Sequence, residues 1–232
     1  ESSFECRNSS ISNNFGVRYG GGVHLSQHSR ALLKDCVLHR NQVRCGCSDS
    51  VRCSDFVCGG GGIAAGGTAF VSLEHGTSLV GNTCEQSSQE QGYGGAILLY
   101  GRASMNINMS LLDSNRAGGD GGALGCLDQS ILNISGTGLQ NNHAGARGGA
   151  ISASKGAAVS FSGTVLLLKN IAVKEGGGLF TEGLLVLAAN GRTQLEANKA
   201  VIGGGLAVAG QKIRLMPGHV LLASRNTATR DG

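Results

Sequence analysis

Residues 111–124 read LLDSNRAGGDGGAL and residues 138–151 read GLQNNHAGARGGAI, so one frame returns after 27 positions. The frame is an apolar residue, an asparagine three positions on, a small residue two further, then a glycine doublet and an apolar anchor. Working outward, the apolar/asparagine pairs are Ile11/Asn14, Leu38/Asn41, Leu79/Asn82, Leu112/Asn115, Leu139/Asn142, Leu167/Asn170, Leu195/Asn198 and Ala223/Asn226. The anchors behind the doublets are Val23, Ile63, Ile97, Leu124, Ile151, Leu179 and Leu206, with spacings of 27, 27, 28 and 27 from Ile97 onward. A fixed period in this range marks a solenoid, in which each repeat is buried by its neighbours.

Helix pairs do not fit the unit, because every glycine in a helix interior costs about 1 kcal/mol. The short apolar runs AILLY, SILNIS, AVSFS and GLLVLAA, bounded by glycine and asparagine, read instead as strands of roughly four to six residues. Three such strands with their turns fill one coil of a parallel β-helix, and successive coils pair at about 4.8 Å. Alignment on the asparagine supports this. The position three before it is apolar throughout, and the position two after it is mostly alanine (Ala117, Ala144, Ala172, Ala200, Ala228). The position one before is largely polar, so the pattern is an inside/outside alternation of period two.

Asn14, Asn41, Asn82, Asn115, Asn142, Asn170, Asn198 and Asn226 are therefore read as a structural ladder. Asparagine tolerates the left-handed conformation of a sharp corner, and stacked amides can bond one another. The glycine doublets are read as corners, where positive φ or close backbone approach is needed. GYGGAI and GGDGGAL resemble phosphate loops only superficially, since no GxxxxGK[ST] is present and no helix follows.

Forty glycines, one proline and no tryptophan accompany 41% apolar residues. The charge of +4 arises from 19 basic and 15 acidic residues without a basic cluster, and only nine residues are aromatic, which argues against nucleic acid as a partner. No apolar run reaches the length of a membrane span. The absence of an initial methionine suggests a processed chain or a segment of a longer one. Residues 1–232 are thus expected to form a single β-helix domain within a longer chain.

Two coils break the period. Asparagine-to-anchor distances are 8 or 9 residues in regular coils, but 22 from Asn41 to Ile63 and 15 from Asn82 to Ile97. The insertions, a Cys-rich loop at 44–60 and a second loop at 84–93, fall at the same corner of adjacent coils. Insertions gathered on one face are often the binding face. Cys45, Cys47, Cys53 and Cys58 lie in the first, and Cys84 stands at the base of the second. Such a loop holds disulfides outside the cell or zinc inside it. The spacings do not make two CxxC knuckles, so Cys45, Cys47, Cys53, Cys58 and Cys84 are disulfide candidates. A buried thiol is an equal reading for Cys84. Cys36 and Cys126 point inward, and Cys6 has no obvious mate.

The motifs GGAI at Gly94–Ile97 and Gly148–Ile151, GGAL at Gly121–Leu124 and the Leu-x-x-Asn element resemble the GGAI/FxxN repeat of chlamydial polymorphic outer-membrane proteins. The resemblance covers nearly the whole chain, with leucine in place of phenylalanine and a cysteine loop foreign to the simplest repeat. It implies an all-β fold, a right-handed parallel β-helix of about eight coils with roughly 27 residues each, about 40 Å long at the strand spacing. It also implies an exported, extracellular or cell-surface protein used for adhesion or structure.

No catalytic set, cofactor site or metal motif is found. Asp113 and Glu196 share a row but lie three coils apart, too far for paired carboxylates. Asp120 reads as a turn residue. His24 and His28 are four apart on a strand and turn, which favours surface roles. The sequons at Asn8, Asn108 and Asn133 are glycosylation candidates. Asn108 aligns with Arg7, Lys34, His75 and His219 in a polar row, whereas Asn82 belongs to the ladder. The expected function is a non-enzymatic structural or adhesive β-helix in a filament, coat or larger surface assembly. Its partners would be proteins or further copies, engaged through the β-helix ends or the insertion face, with possible glycans. The alternative is a carbohydrate-binding or polysaccharide-degrading β-helix.

Overall fold

The computed structural model describes residues 2–46, 57–86, 91–210 and 213–229. These residues form an all-β solenoid without a helix, so no helix is present that could cross a membrane. Each coil contributes four short strands, which in the coil of Asn115 are Ser104–Asn108, Leu111–Asp113, Arg116–Ala117 and Leu124–Cys126. Their equivalents stack in parallel into an eight-stranded sheet from Phe15–Gly16 to Thr227–Ala228 and a seven-stranded sheet from Val23–Leu25 to Leu206–Val208. Fourteen further strands form one bent sheet, because Ile131–Gln140 and Ala158–Leu168 run through the bend and join two stacks, and Cys58–Gly59 and Gly92–Tyr93 pair apart as a two-stranded sheet.

The sequence suggested three strands per coil, and the difference has a local cause. Asn8, Asp35, His75 and Met109 take positive φ of 33–53° at the bend, which interrupts pairing there. The two strands that run through the bend carry glycine there, Gly136 at 57° and Gly163 at 58°, where positive φ meets no Cβ strain.

Register follows the repeat. Ile11, Leu38, Leu79, Leu112, Leu139, Leu167, Leu195 and Ala223 are successive Cα partners in one column. From Leu38 to Leu167 these leucines are fully buried. Each contributes about 1.5–3 kcal/mol of apolar transfer energy, an upper value because unfolded chains already bury some surface.

The asparagines stand in single file. From Asn14 to Asn198 the backbone N–H and side-chain amide of each donate to Oδ1 of the next at 2.9–3.1 Å. From Asn41 onward the amide also donates one coil back, as from Asn142 to Leu112 O at 3.0 Å. The Leu-x-x-Asn spacing follows from this bond, since the leucine of one coil supplies the acceptor for the asparagine of the next. The left-handed corner, expected at the asparagine, lies one residue earlier. Asn13, Arg40, Gly81, Ser114, Asn141, Lys169, Ala197 and Arg225 have φ of 53–62°. The preceding residue turns the chain and leaves the amide pointing along the stack.

One doublet shows why glycine recurs. Gly148 has φ of +66°, and a Cβ there would sit 2.1 Å from Ile151 O. At Gly149 a Cβ would lie 2.0 Å from Gly177 O on the next coil. The first glycine is required by the turn and the second by the approach of two backbones. In the coil of Asn226, Val220, Leu221 and Leu222 are 39–48% exposed.

Candidate functional site: the insertion corner

Both interruptions of the period leave the solenoid after the third strand of a coil, the first after Gln42–Arg44 and the second after Thr83–Glu85. The chain re-enters through Cys58–Gly59 and Gly92–Tyr93, which pair with each other in parallel. At the exits the Cys45 N–H donates to Glu85 O at 3.1 Å. The bases of the two insertions are therefore stacked. Cys47 and Cys53 lie outside the described residues.

Val43, Cys45, Cys58 and Cys84 form an apolar cluster separate from the main core. Cys45 and Cys58 are joined as a disulfide across 13 residues. Cys84, read from sequence equally as a disulfide candidate or a buried thiol, is a buried free thiol whose Sγ lies 3.6 Å from Cys45 Sγ. The two described cysteines beside it, Cys45 and Cys58, are bonded to each other. Burial pushes the Cys84 thiol up to about 12, the Glu85 carboxylate adds to this, and the Tyr93 backbone N–H opposes it. Cys6 does have a mate, since it is bonded to Cys36 across the bend of the first two coils. Cys126 is a fully buried free thiol, likewise raised to about 12 by burial. Two disulfides are compatible with an oxidising compartment.

Further along the same corner, residues that precede the doublets form an ionic column. Asp120, with its side chain 4% exposed, accepts from Arg147 Nη2 at 2.8 Å and from the Arg147 backbone N–H at 2.9 Å. Arg147 also reaches Glu182 at 3.4 Å and covers the Phe180 ring at 4.5 Å from its centroid. Asp120 is thus a turn residue with a buried ionic role, held by the Arg147 guanidinium. A third group is aromatic. Tyr19 stacks on His24 at 5.3 Å and on Tyr100 at 5.1 Å, and Tyr100 Oη meets His24 Nε2 at 3.2 Å. Tyr100 reaches them by crossing Gly66, where a Cβ would fall 2.1 Å from its ring.

The other sequence-derived residues stay dispersed. Asp113 and Glu196 occupy one column separated by Gln140 and Leu168. Among the sequons, Asn8 is exposed at a left-handed bend, Asn133 is exposed and donates to Asn106 Oδ1, and Asn108 ends a strand half-buried. The polar column beside Asn108 reads Arg7, Lys34, Glu74, Asn108 and Ser135. His75 and His219 are not in it, because an extra residue in the bend after Glu74 shifts His75 into the turn and His219 precedes its strand. Neither the Arg147 network nor the aromatic stack was inferred from sequence. Asp120 and Arg147 were nonetheless legible as opposite charges exactly one period, 27 residues, apart.

No protein-family model, curated protein or solved structure matches the chain.

Proposed function

We propose that this chain is a right-handed parallel β-helix of an exported protein, acting as a structural or adhesive rod in a larger extracellular or cell-surface assembly. The observation that carries this reading is the asparagine file from Asn14 to Asn226, which ties every coil to the next along the whole described length. Most buried polar side chains of the solenoid serve this file or its neighbouring rows, and they make an axis rather than a cleft. The insertion corner is the surface proposed for partner contact. The resemblance to the GGAI/FxxN repeat of surface proteins points the same way.

A carbohydrate-binding β-helix is the second reading, favoured by the Tyr19–His24–Tyr100 stack on the outer side of the coil. Stacked rings offer an apolar face of the kind sugars use. Sedimentation over a wide concentration range, run beside incubation with acidic polysaccharides, separates the readings. Reversible assembly without polymer shortening is expected. Chain cleavage of a polysaccharide by a protein that stays monomeric would overturn the proposal.

A further inference from the structure

The three sulfurs at the base of the insertions form a triangle, with Cys84 Sγ 3.6 Å from Cys45 Sγ and every pair within 4.8 Å. A thiol this close to a disulfide suggests exchange, but the shape is wrong for it. In-line displacement at Cys45 would set the Cys84 and Cys58 sulfurs about 5.6 Å apart, the sum of the approach distance and one S–S bond. They are nearer than that, so Cys84 approaches from the side. The triangle suits a shared ligand better. Four sulfurs at about 2.3 Å from a tetrahedral zinc ion lie about 3.8 Å from one another. Opening the Cys45–Cys58 bond brings that edge to the same scale.

We propose that Cys45, Cys58 and Cys84 form a soft-cation site that is the alternative to the Cys45–Cys58 disulfide. In the oxidised state two of the sulfurs are bonded to each other and the third is an inert thiol. A dithiol reductant supplies two electrons and two protons and becomes a disulfide, whereas a phosphine supplies the two electrons and becomes a phosphine oxide as water gives up its oxygen and two protons; either leaves three thiols. A divalent d10 cation then replaces three protons and is held by three thiolates, giving the cluster a net charge of −1. The surroundings fit this chemistry. Val43 packs against the sulfurs in an apolar cluster apart from the main core. Beside Cys84 opens a cavity of about 380 Å³ lined by Thr83, Glu85, Gln86, Arg116 and Gly118. Arg116 lines it from the strand paired with that of Cys84. Soft thiolates select zinc, cadmium or cuprous ions over magnesium and calcium.

The test uses the full chain, folded and purified anaerobically with a phosphine reductant, and titrated with Cd2+ while the thiolate-to-metal charge-transfer band is followed. One ion per chain with the intensity of three thiolates is expected, and the air-oxidised protein with its disulfide intact should show no band. Loss of an outer hydrogen bond alone weakens metal sites by about 10–100-fold, so loss of a ligand in Cys84→Ser should weaken binding at least about 100-fold. Cys126→Ser and the double variant Cys47→Ser/Cys53→Ser should bind as the parent does. Cys58→Ser gives a second removal from the same triangle should Cys84→Ser fold poorly, and 113Cd NMR of the parent counts sulfur ligands without any substitution. Unchanged affinity in Cys84→Ser, or abolished binding in Cys47→Ser/Cys53→Ser, would overturn the assignment by placing the ion on the loop.

Discussion

Replacing Asn142 by alanine tests whether the amide file is an energetic element or a geometric by-product. Its side chain takes part in four hydrogen bonds. Oδ1 accepts from the Asn115 N–H at 3.0 Å and from the Asn115 amide at 3.0 Å, and Nδ2 donates to Leu112 O and Asn170 Oδ1, both at 3.0 Å. Asn142 and its two neighbours are fully buried, so water cannot replace what is lost. At about 1 kcal/mol net per bond the substitution should cost about 4 kcal/mol, and more where the Asn115 N–H is left without an acceptor. Asn14→Ala is the internal control. Asn14 is exposed and its side chain makes one bond, to Asn41, so its loss should cost under about 1 kcal/mol. Asn142→Asp separates shape from hydrogens. The carboxylate still accepts from Asn115 but faces Leu112 O and Asn170 Oδ1 with nothing to donate. Burial and the two facing oxygens raise its folded-state pKa above the unfolded value. The added penalty is therefore absent at low pH and appears as pH rises above about 4. Urea unfolding followed by circular dichroism measures all three, and the slope of each curve shows whether the coils still unfold together. Should Asn142→Ala fall within 1 kcal/mol of Asn14→Ala, the ladder would be an ornament on a fold held by its leucine column alone.

Gly149→Ala should destabilise by several kcal/mol or prevent folding, because its Cβ would lie 2.0 Å from Gly177 O, whereas Gly46→Ala, with nothing within 4 Å, should leave the unfolding midpoint unchanged. Arg147→Ala strands the Asp120 carboxylate in a buried site and should cost about 3–5 kcal/mol, with the double variant Arg147→Ala/Asp120→Ala recovering part of the loss in the same urea assay. The Cys84 thiol, raised to about 12, is protonated in all but about one molecule in ten thousand at pH 8, so iodoacetamide should label Cys84 only after denaturation, as read by mass spectrometry. At Asp113 burial raises the pKa, but hydrogen bonds from Asn141, Gln140 and Ser114 outweigh it and the net shift is downward. Its contribution to stability is complete above the unfolded carboxylate value near 4 and is lost as pH falls through the lower folded value, so Asp113→Asn should flatten the acid limb of a stability-versus-pH curve.

The columns were legible in the sequence because a period of 27 or 28 residues places like residues above one another, and burial acts on each column alike. Leu112, Leu139 and Leu167 had to be apolar together, and Asn115, Asn142 and Asn170 had to be amides together, since each bonds the next. The left-handed corner lies one residue before the asparagine that suggested it, because its own column, Arg40, Ser114, Lys169 and Ala197 among others, is defined by backbone φ and leaves side-chain chemistry unconstrained.

The candidate site differs in kind, because its contacts run between columns. Cys6 and Cys36 sit eight and five residues before their asparagines, and only the bend at Asn8 and Asp35 turns them toward each other. Tyr100 reaches Tyr19 across a coil because Gly66 has no side chain to block it, a clearance that belongs to no repeat position. Cys84 occupies the small inward column as its period requires, yet its neighbours Cys45 and Cys58 arrive from an insertion the period does not describe. The regular contacts make the rod, and each irregular one joins residues that the repeat alone would keep in separate files. Chemistry specific to this chain should therefore concentrate at those crossings, and the Cys45–Cys58–Cys84 triangle is where a repeat column meets an insertion in one buried volume.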